Sequence, residues 1–495
     1  MTRASSADRS RLAFYLLLCW TALLPWPLGA NRDWIWPWFS ASLLLIAAMA
    51  IWTTDLGVRW RSAHAGLRIA SICLLLLALL DSLRCIFAGS GENAFWRIAD
   101  PQAALLGALK SATVGVLVLL SMLLISSRRR ARWVLAVLFV TGVLQALLAL
   151  AMTLGSVSFT WLGHPLGASE FATGTFINRN HFAGMLELAG AAGFGLLASG
   201  LHVTERAQGW REWVRRIGHA LLGTRFLMRV GLALLVVALV MTRSRMGNVA
   251  FFVGLTAAGT AALIWWRPLP RILIWLLLSI VAVDVLVLGA WVGVDKLADR
   301  VAETRWTAAA VEPLPGKRMS DQPTDTTPLS VEPNDAERWT VAEAALQLWR
   351  KRIWLGQGSG SFRLLFPAVK PESVRLFYEH AHNDYVETLA ERGMIGLGLF
   401  IVAAMSLLYS AVQALRIRKD SLARGMALAS IAAGTSLALH SMVDFNMQIP
   451  ANLFWLVICL TLGALGHGLP VPISKPHLGL NPRLGEASDP LKAET

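Results

Sequence analysis

A chain of 495 residues that is 55% hydrophobic and only 15% charged carries more apolar surface than one water-soluble core can bury. Its formal net charge of +14 raises nucleic acid as a partner, but the basic residues fall in short clusters between apolar runs. That spacing excludes a nucleic-acid face and reads as membrane topology. Cys19, Cys73, Cys85 and Cys459 all lie inside apolar segments with no CxxC pair, so neither a disulfide nor a zinc site is expected.

Windows of roughly 20 apolar residues, the length that crosses a hydrocarbon core, begin near residues 12, 34, 67, 102, 133, 184, 226, 247, 272, 393, 425 and 451. They predict an all-α polytopic membrane protein of about twelve transmembrane helices. The first window follows Arg3, Arg9 and Arg11 and includes Trp20 and Trp26; its length fits a retained signal-anchor helix better than a cleaved signal peptide. With the N-terminus cytoplasmic, the basic connections around Arg59, Arg128 to Arg132, Arg206 to Arg229, Arg267 to Arg271 and Arg416 to Arg424 share that side. The short connections opposite hold only Arg32, Arg97, Arg179, Arg243 and Arg245, the bias of the positive-inside rule. The expected organisation is nine membrane helices over 1–294, a large loop facing away from the cytoplasm over 295–392, three more helices over 393–468 and a cytoplasmic tail over 469–495.

Within the large loop, residues 307–336 contain Pro313, Pro315, Pro323, Pro328 and Pro333 among Thr, Asp and Ser, the composition of a disordered linker. From Glu337 onward Trp339, Ala342, Ala345, Leu346 and Trp349 recur at helical spacing. Gly356-Gln-Gly-Ser-Gly-Ser-Phe362 predicts a flexible turn after that helix. A second helix is expected from Asp384, whose spacing to Glu387 fits a capping box, to Gly393.

Three clusters on the exported side carry residue types that bind anions or move protons. They are Thr173-Gly-Thr-Phe-Ile-Asn-Arg-Asn-His-Phe-Ala-Gly184, Thr242-Arg-Ser-Arg-Met-Gly247 and His380-Ala-His-Asn-Asp-Tyr-Val-Glu387. An arginine at a membrane surface often snorkels toward lipid headgroups. Arg243 and Arg245 occupy a very short connection on the side that is otherwise depleted of cations, which points instead to an anionic ligand. The planar fork of arginine suits phosphate, and Arg179, Arg245 and Arg338 together are candidates to clamp a diphosphate. His382 is the candidate base, since imidazole titrates near neutrality. Asn383 and Tyr385 stand beside it, and free N–H groups of the following helix would favour an anion there. His181 and His380 are more often structural at such positions. No DxD pair, HExxH, Walker loop or serine elbow is present in the exported segments, so no metal or nucleotide cofactor is implied.

Several of these motifs resemble the O-antigen ligase and O-antigen polymerase superfamily of bacterial membrane glycosyltransferases. His382-Asn383 followed by Gly393-Met-Ile-Gly396 looks like that family's signature after its large periplasmic loop. Ser244-Arg245-Met-Gly247 is similar to its Ser-Arg-x-Gly step, and Arg338-Trp339 with Gly356-x-Gly358 resembles the first half of its loop. The similarity runs from about Thr173 to Ala451, through His440-Ser-Met-Val-Asp-Phe-Asn446.

The resemblance implies a multi-pass protein of the bacterial inner membrane with a periplasmic loop. The donor it implies is a glycan on undecaprenyl diphosphate, and the acceptor is lipid A-core, another glycan or a protein. His382 then takes the role of base, and Arg245 and Arg338 that of diphosphate ligands. Arg243, His181, Asn383 and Tyr385 are supporting residues. Metal-free displacement at the anomeric carbon inverts its configuration when no carboxylate pair offers a covalent intermediate. The alternatives are a polysaccharide polymerase, a protein O-oligosaccharyltransferase or a flippase, the last of which needs a relay of intramembrane charges from among Asp81, Arg84, Lys110, Glu187 and Asp284.

The linker reading is testable directly. Limited proteolysis from the exported side should cut first within residues 307–336, and deletion of 315–330 should leave membrane levels and activity unchanged.

Overall fold

The structure, a computed structural model, describes residues 3–87, 96–167, 170–200, 223–269, 273–274, 278–279, 335–374 and 376–470. Of the linker read over 307–336, residues 307–334 lie outside the described residues and Asp335 and Ala336 already belong to a helix; most of the ninth apolar window with Asp284 and the tail from 471 also lie outside the described residues. The chain is mostly helical. Helices α1 (Arg3–Leu23), α2 (Trp36–Ile51), α3 (Leu56–Ser62), α4 (Ala65–Phe87), α5 (Pro101–Leu124) and α6 (Arg128–Leu154) come first. They lead into a small antiparallel hairpin, β1 (Ser158–Trp161) and β2 (His164–Gly167), then α7 (Arg179–Ser199), α8 (Thr224–Met241) and α9 (Arg245–Trp265). Within the large connection comes α10 (Asp335–Lys351), followed by α11 (Asp384–Ile417), α12 (Ser421–His440) and α13 (Pro450–Leu465). The hairpin is an exception to the all-α expectation, and it pairs Ser158 with Gly167 and Trp161 with His164.

Seven described helices are long and apolar enough to cross a membrane, namely α4, α5, α6, α7, α9, α11 and α12. The number is eight if α2 and α3, bent by 94° at their junction, form one broken span. Polar caps set many of the starts. Asp100, Ser127, Ser244 and Asp420 each accept a backbone N–H of the following first turn, which satisfies a donor that the helix itself leaves open.

Two helices form the centre of the bundle. Burial reaches 94% over the most apolar stretch of α7 and 83% over that of α12, against 28–56% for the other spans. Small residues make this possible: a side chain at Gly195 would strike the Gly425 carbonyl at 2.5 Å, and one at Gly425 would strike the Gly195 carbonyl at 2.3 Å. Without a hydrophobic force between helices in lipid, such close backbone approach supplies the packing.

The later part of the large connection folds against the bundle through a second, smaller core of Val341, Ala345, Leu348, Phe362, Phe366 and Tyr378. Helix α10 thus buries its 341/344/345/348 face, rotated from the stripe read in the sequence, and Trp339 is exposed. The glycine-rich turn is held along its backbone rather than left flexible. Gln357 N donates to Ala390 O and Gly358 N to Glu391 O, while Met394 N and Ile395 N donate to Ile353 O and Trp354 O. These bonds form where α11 breaks at Gly393, whose φ is 63°. The helix that was expected to stop at Gly393 therefore continues beyond it as one bent element.

A Cβ at Gly393 would lie 2.4 Å from the Trp354 carbonyl group, on a backbone that disfavours L side chains. Gly393→Ala should therefore lower stability by at least about 1–3 kcal/mol. Gly398, with nothing within 4 Å of its would-be Cβ, is the control, and its alanine variant should be neutral or slightly stabilising. Thermal unfolding of the detergent-purified variants measures both.

Candidate functional site

The first turn of α7 lies between two groups of side chains. On one side, Asn178 caps the helix and Arg179 packs its guanidinium 4.0 Å from the centre of the Phe171 ring. Arg243 approaches the same ring at 5.3 Å and reaches Glu170 at 3.4 Å. The 170–172 segment is tied to the end of α8 by Ala172 N donating to Met241 O. Arg245 begins α9 four residues after Met241 and is exposed. A Cβ at Gly247 would meet the Ala183 Cβ at 2.7 Å, so the first turns of α7 and α9 are in contact. Arg179, Arg243 and Arg245 are thereby gathered at two adjoining helix N-termini, where backbone N–H groups and the helix dipole add to the positive potential.

On the other side of the same turn is His181. Its Nε2 lies 3.5 Å from Asp444 Oδ1, and His382 Nδ1 lies 3.7 Å from that same oxygen. Asp444 is 1% exposed. Burial opposes its ionisation, but the two imidazoles outweigh burial and hold its carboxyl well below the usual range. Phe445 fills the space between the rings, edge-on to His181 at 4.4 Å and to His382 at 4.9 Å, and stacked on His380 at 4.4 Å. Among the described residues no group of three or more His, Cys, Asp and Glu converges closely enough to hold a metal ion. Asn452 fixes the arrangement by donating to His181 O at 2.8 Å and to Asn446 Oδ1 at 2.9 Å.

His382 occupies the left-handed region with φ 49°, a strained conformation for a residue other than glycine. Arg243, at φ 53°, does the same, and in both cases the next residue is the helix cap. Asn383 caps α11 by accepting from Tyr385 N and Val386 N, and donates its amide to Met442 O at 2.7 Å. The helix starts at Asp384 as expected, but its cap is Asn383 rather than the Asp384 of the capping-box reading. Asp384 N donates to Ser441 O, and Glu387 N to Asn383 O. All four N–H groups of this turn are satisfied, so the anion expected at free donors beside His382 has none there. The Tyr385 hydroxyl donates to Ala438 O at 2.8 Å, which directs it into the bundle.

Arg338 approaches from α10. Burial, then the Glu337 carboxylate, raise the pKa of the Tyr378 phenol, with Arg338 acting in the opposite direction; the Tyr378 ring stands edge-on to His382 at 5.6 Å. The structure therefore places Arg338 around Tyr378 and Arg179, Arg243 and Arg245 around the α7 and α9 starts. Sequence reasoning quoted Asp444 within a motif and gave it no role. A lone aspartate between a Val and a Phe carries no signal of its own until the fold sets it between two histidines.

Among the described residues, the intramembrane charges Asp81, Arg84 and Glu187 have separate partners. Arg392 Nε donates to Asp81 Oδ2 at 3.1 Å, and Ser111 joins the same oxygen. Arg84 donates to Leu355 O and Gly356 O. His440 Nδ1 lies 2.6 Å from Glu187 Oε1.

With this geometry in hand, comparison with known families gives a direct result: residues 230–401 match the model described as O-Antigen ligase. Over that stretch the chain is similar to an O-antigen ligase domain. The matched stretch contains Arg245, Arg338, His382 and the Gly393/Gly396 pair, while Arg179, His181 and Asp444 lie outside it and are packed against it. A comparison with curated proteins gives no match.

His380 Nδ1 is 2.8 Å from Glu387 Oε1. Burial disfavours its charged form, yet the Glu387 carboxylate prevails and its pKa is raised. A raised pKa stabilises the fold fully below the unfolded value and loses that contribution as pH rises through the folded one. Scanned from about pH 5 to about pH 9, the melting temperature should fall through that window, and Glu387→Gln should flatten this part of the profile.

Proposed function

We propose that the chain is a glycosyltransferase of the O-antigen ligase type, moving a glycan from undecaprenyl diphosphate to an acceptor hydroxyl at the periplasmic face of a bacterial inner membrane. In this reading both termini are cytoplasmic and the connection 295–392 is periplasmic. The observation that carries it is the juxtaposition at the start of α7. A cluster of arginines at paired helix N-termini meets an imidazole held by a buried carboxylate, and the family-matched segment supplies Arg245 and His382 to the two groups.

In the proposed reaction the acceptor oxygen attacks the anomeric carbon, and its proton passes to Nε2 of His382. Asp444, facing Nδ1, orients the ring and stabilises the imidazolium that forms. The bond from the anomeric carbon to the diphosphate oxygen breaks, and the departing diphosphate takes the electron pair. Arg245 and Arg179, with Arg338 from α10, offset the charge that develops on it. One displacement inverts the anomeric centre. No metal is assigned to these steps, since residues of the chain fill each role.

A polymerase or a protein O-oligosaccharyltransferase of the same superfamily differs from this only in the acceptor. Deleting the gene and identifying which glycoconjugate is lost (capped lipopolysaccharide, free polysaccharide or glycoprotein) separates them.

His382→Ala should abolish transfer, with a loss of about 10²- to 10⁴-fold for a positioned base, while donor binding persists. Normal turnover in that variant sinks the assignment. Arg245→Lys keeps the charge but loses the bidentate fork, so it should weaken transfer, with Arg245→Ala worse. Arg97 is the control: its side chain is exposed and its contacts with Arg84 and Arg352 are made by its backbone carbonyl. Equal tolerance of lysine at 97 and 245, at matched protein levels, removes the diphosphate role.

A further inference from the structure

Helix α10 ends in the run Trp349-Arg-Lys-Arg-Ile-Trp354. The fold lays this run on the ends of two spans. Met394 N and Ile395 N, where α11 resumes after its break, donate to Ile353 O and Trp354 O, and Arg84 from the last turn of α4 donates to Leu355 O. Arg352 donates to Arg97 O, and the neighbouring Trp96 ring meets that of Phe87, the last residue of α4, at 5.4 Å. One surface therefore joins the end of α4, residues 96–97, the end of α10 and residues 394–395 of α11.

The apolar members of this surface are exposed. Ile353 and Trp354 are 44% and 64% exposed, and Ile86, Phe87, Met394 and Ile395 are exposed as well. The last four lie on helices long and apolar enough to cross a membrane, so Ile353 and Trp354 continue a lipid-facing surface at the height where the apolar stretch of α11 begins. Tryptophan is favoured at that boundary. The cations gather at the same height. Arg97, Arg350 and Lys351 are exposed, and among the described residues no carboxylate is within ion-pair distance of any of them. Burial, then the like charge of Arg97, lower the pKa of Arg352, so those two guanidiniums share one neighbourhood. At the C-terminus of α10, Arg350 and Lys351 also offset the helix dipole. That explains neither Arg97, which belongs to another segment, nor the exposed Ile353 and Trp354 beside them.

We propose that this surface docks on anionic phospholipids of the surrounding bilayer, with Ile353 and Trp354 at the top of the acyl chains and Arg97, Arg350 and Lys351 on the phosphates. The occupant follows from charge and from continuity with the lipid-facing sides of α4 and α11. A zwitterionic headgroup has no net charge to complement three cations. An acidic soluble partner would have to cover side chains that already border the bilayer. Docking holds the end of α10 at a fixed height above the membrane part of α11, and with it the helix that carries Arg338. The inference does not depend on the transferase reading.

Photocrosslinking at position 354 tests this. Trp354→p-benzoylphenylalanine in the full-length protein, purified into nanodiscs of equal parts phosphatidylglycerol and phosphatidylcholine, identifies the lipid that the surface holds. Val402→p-benzoylphenylalanine, at an exposed position within the α11 span, is the reference. The ratio of phosphatidylglycerol to phosphatidylcholine adducts at 354 should exceed that at 402 by about tenfold or more. Combining Arg97→Gln, Arg350→Gln and Lys351→Gln should bring the two ratios together, whereas lysine at 97 and 350 should keep them apart. High ionic strength should narrow the difference without any of these changes, which decides the matter if the triple variant fails to fold. Equal ratios at 354 and 402 with the three cations in place overturn the proposal. So does a preference at 354 that survives their loss or high salt, or an absence of lipid adducts at 354 in folded protein. The preference in a protein that transfers no lipid-linked glycan keeps the docking surface and removes only the transferase reading.

Discussion

A carboxylate buried at the end of α12 is the constraint on which the site depends. Asp444 is sealed from water, and an isolated charge there would be prohibitively costly. His181 from α7 and His382 from the turn before α11 face the same oxygen at 3.5 and 3.7 Å. Three stretches that are far apart in sequence are therefore fixed relative to one another by one charge. Phe445 then sets the spacing, because its ring occupies the space that the imidazoles would otherwise close.

Holding His382 in place also requires the segment before α11 to be anchored. The anchor is mostly backbone. The 353–358 segment pairs with 390–395 across the break at Gly393, a contact possible only because Gly356 and Gly393 lack side chains at the closest approach. Arg84 caps the carbonyls of Leu355 and Gly356 from α4, and Asp81, one turn earlier on the same helix, holds Arg392 just ahead of the break. Breaking such a buried pair by removing one partner typically costs about 3–5 kcal/mol. These intramembrane charges, which could be read as a transport path, are thus engaged in fixing the position of the segment that carries His382.

Much of this was legible in the sequence because apolar length and turn chemistry are local signals. The starts of α5, α7 and α9 fall within a few residues of the apolar windows that begin near 102, 184 and 247, that of α11 falls at Asp384 as read, and the three polar clusters that were singled out all fall at helix starts. What was not legible depends on tertiary contact. The buried face of α10 was misjudged because Trp339 and Trp349 mark a stripe by size, whereas the small core selects Val341, Ala344, Ala345 and Leu348. The glycine-rich turn looked flexible because glycine frees a chain locally; here the same absence of Cβ admits another backbone. Asp81 and Arg84 lie three apart on one helix, yet each finds its partner in a distant segment that no local pattern marks.

The separation of arginines from imidazoles by one helical turn bears on the proposed chemistry. Cations beside a neutral imidazole lower its basicity, so a base placed among Arg179, Arg243 and Arg245 would accept a proton poorly. His181 and Asp444 stand between His382 and that cluster. The carboxylate returns negative potential to the ring that must become positive, while the helix N-termini keep theirs for the leaving group. Arg179 and His181 share the rigid first turn of α7, and Asp444 ties His382 to His181, so in the proposed chemistry the distance between base and leaving-group site is tied to helix geometry, the condition under which positioning contributes most to rate.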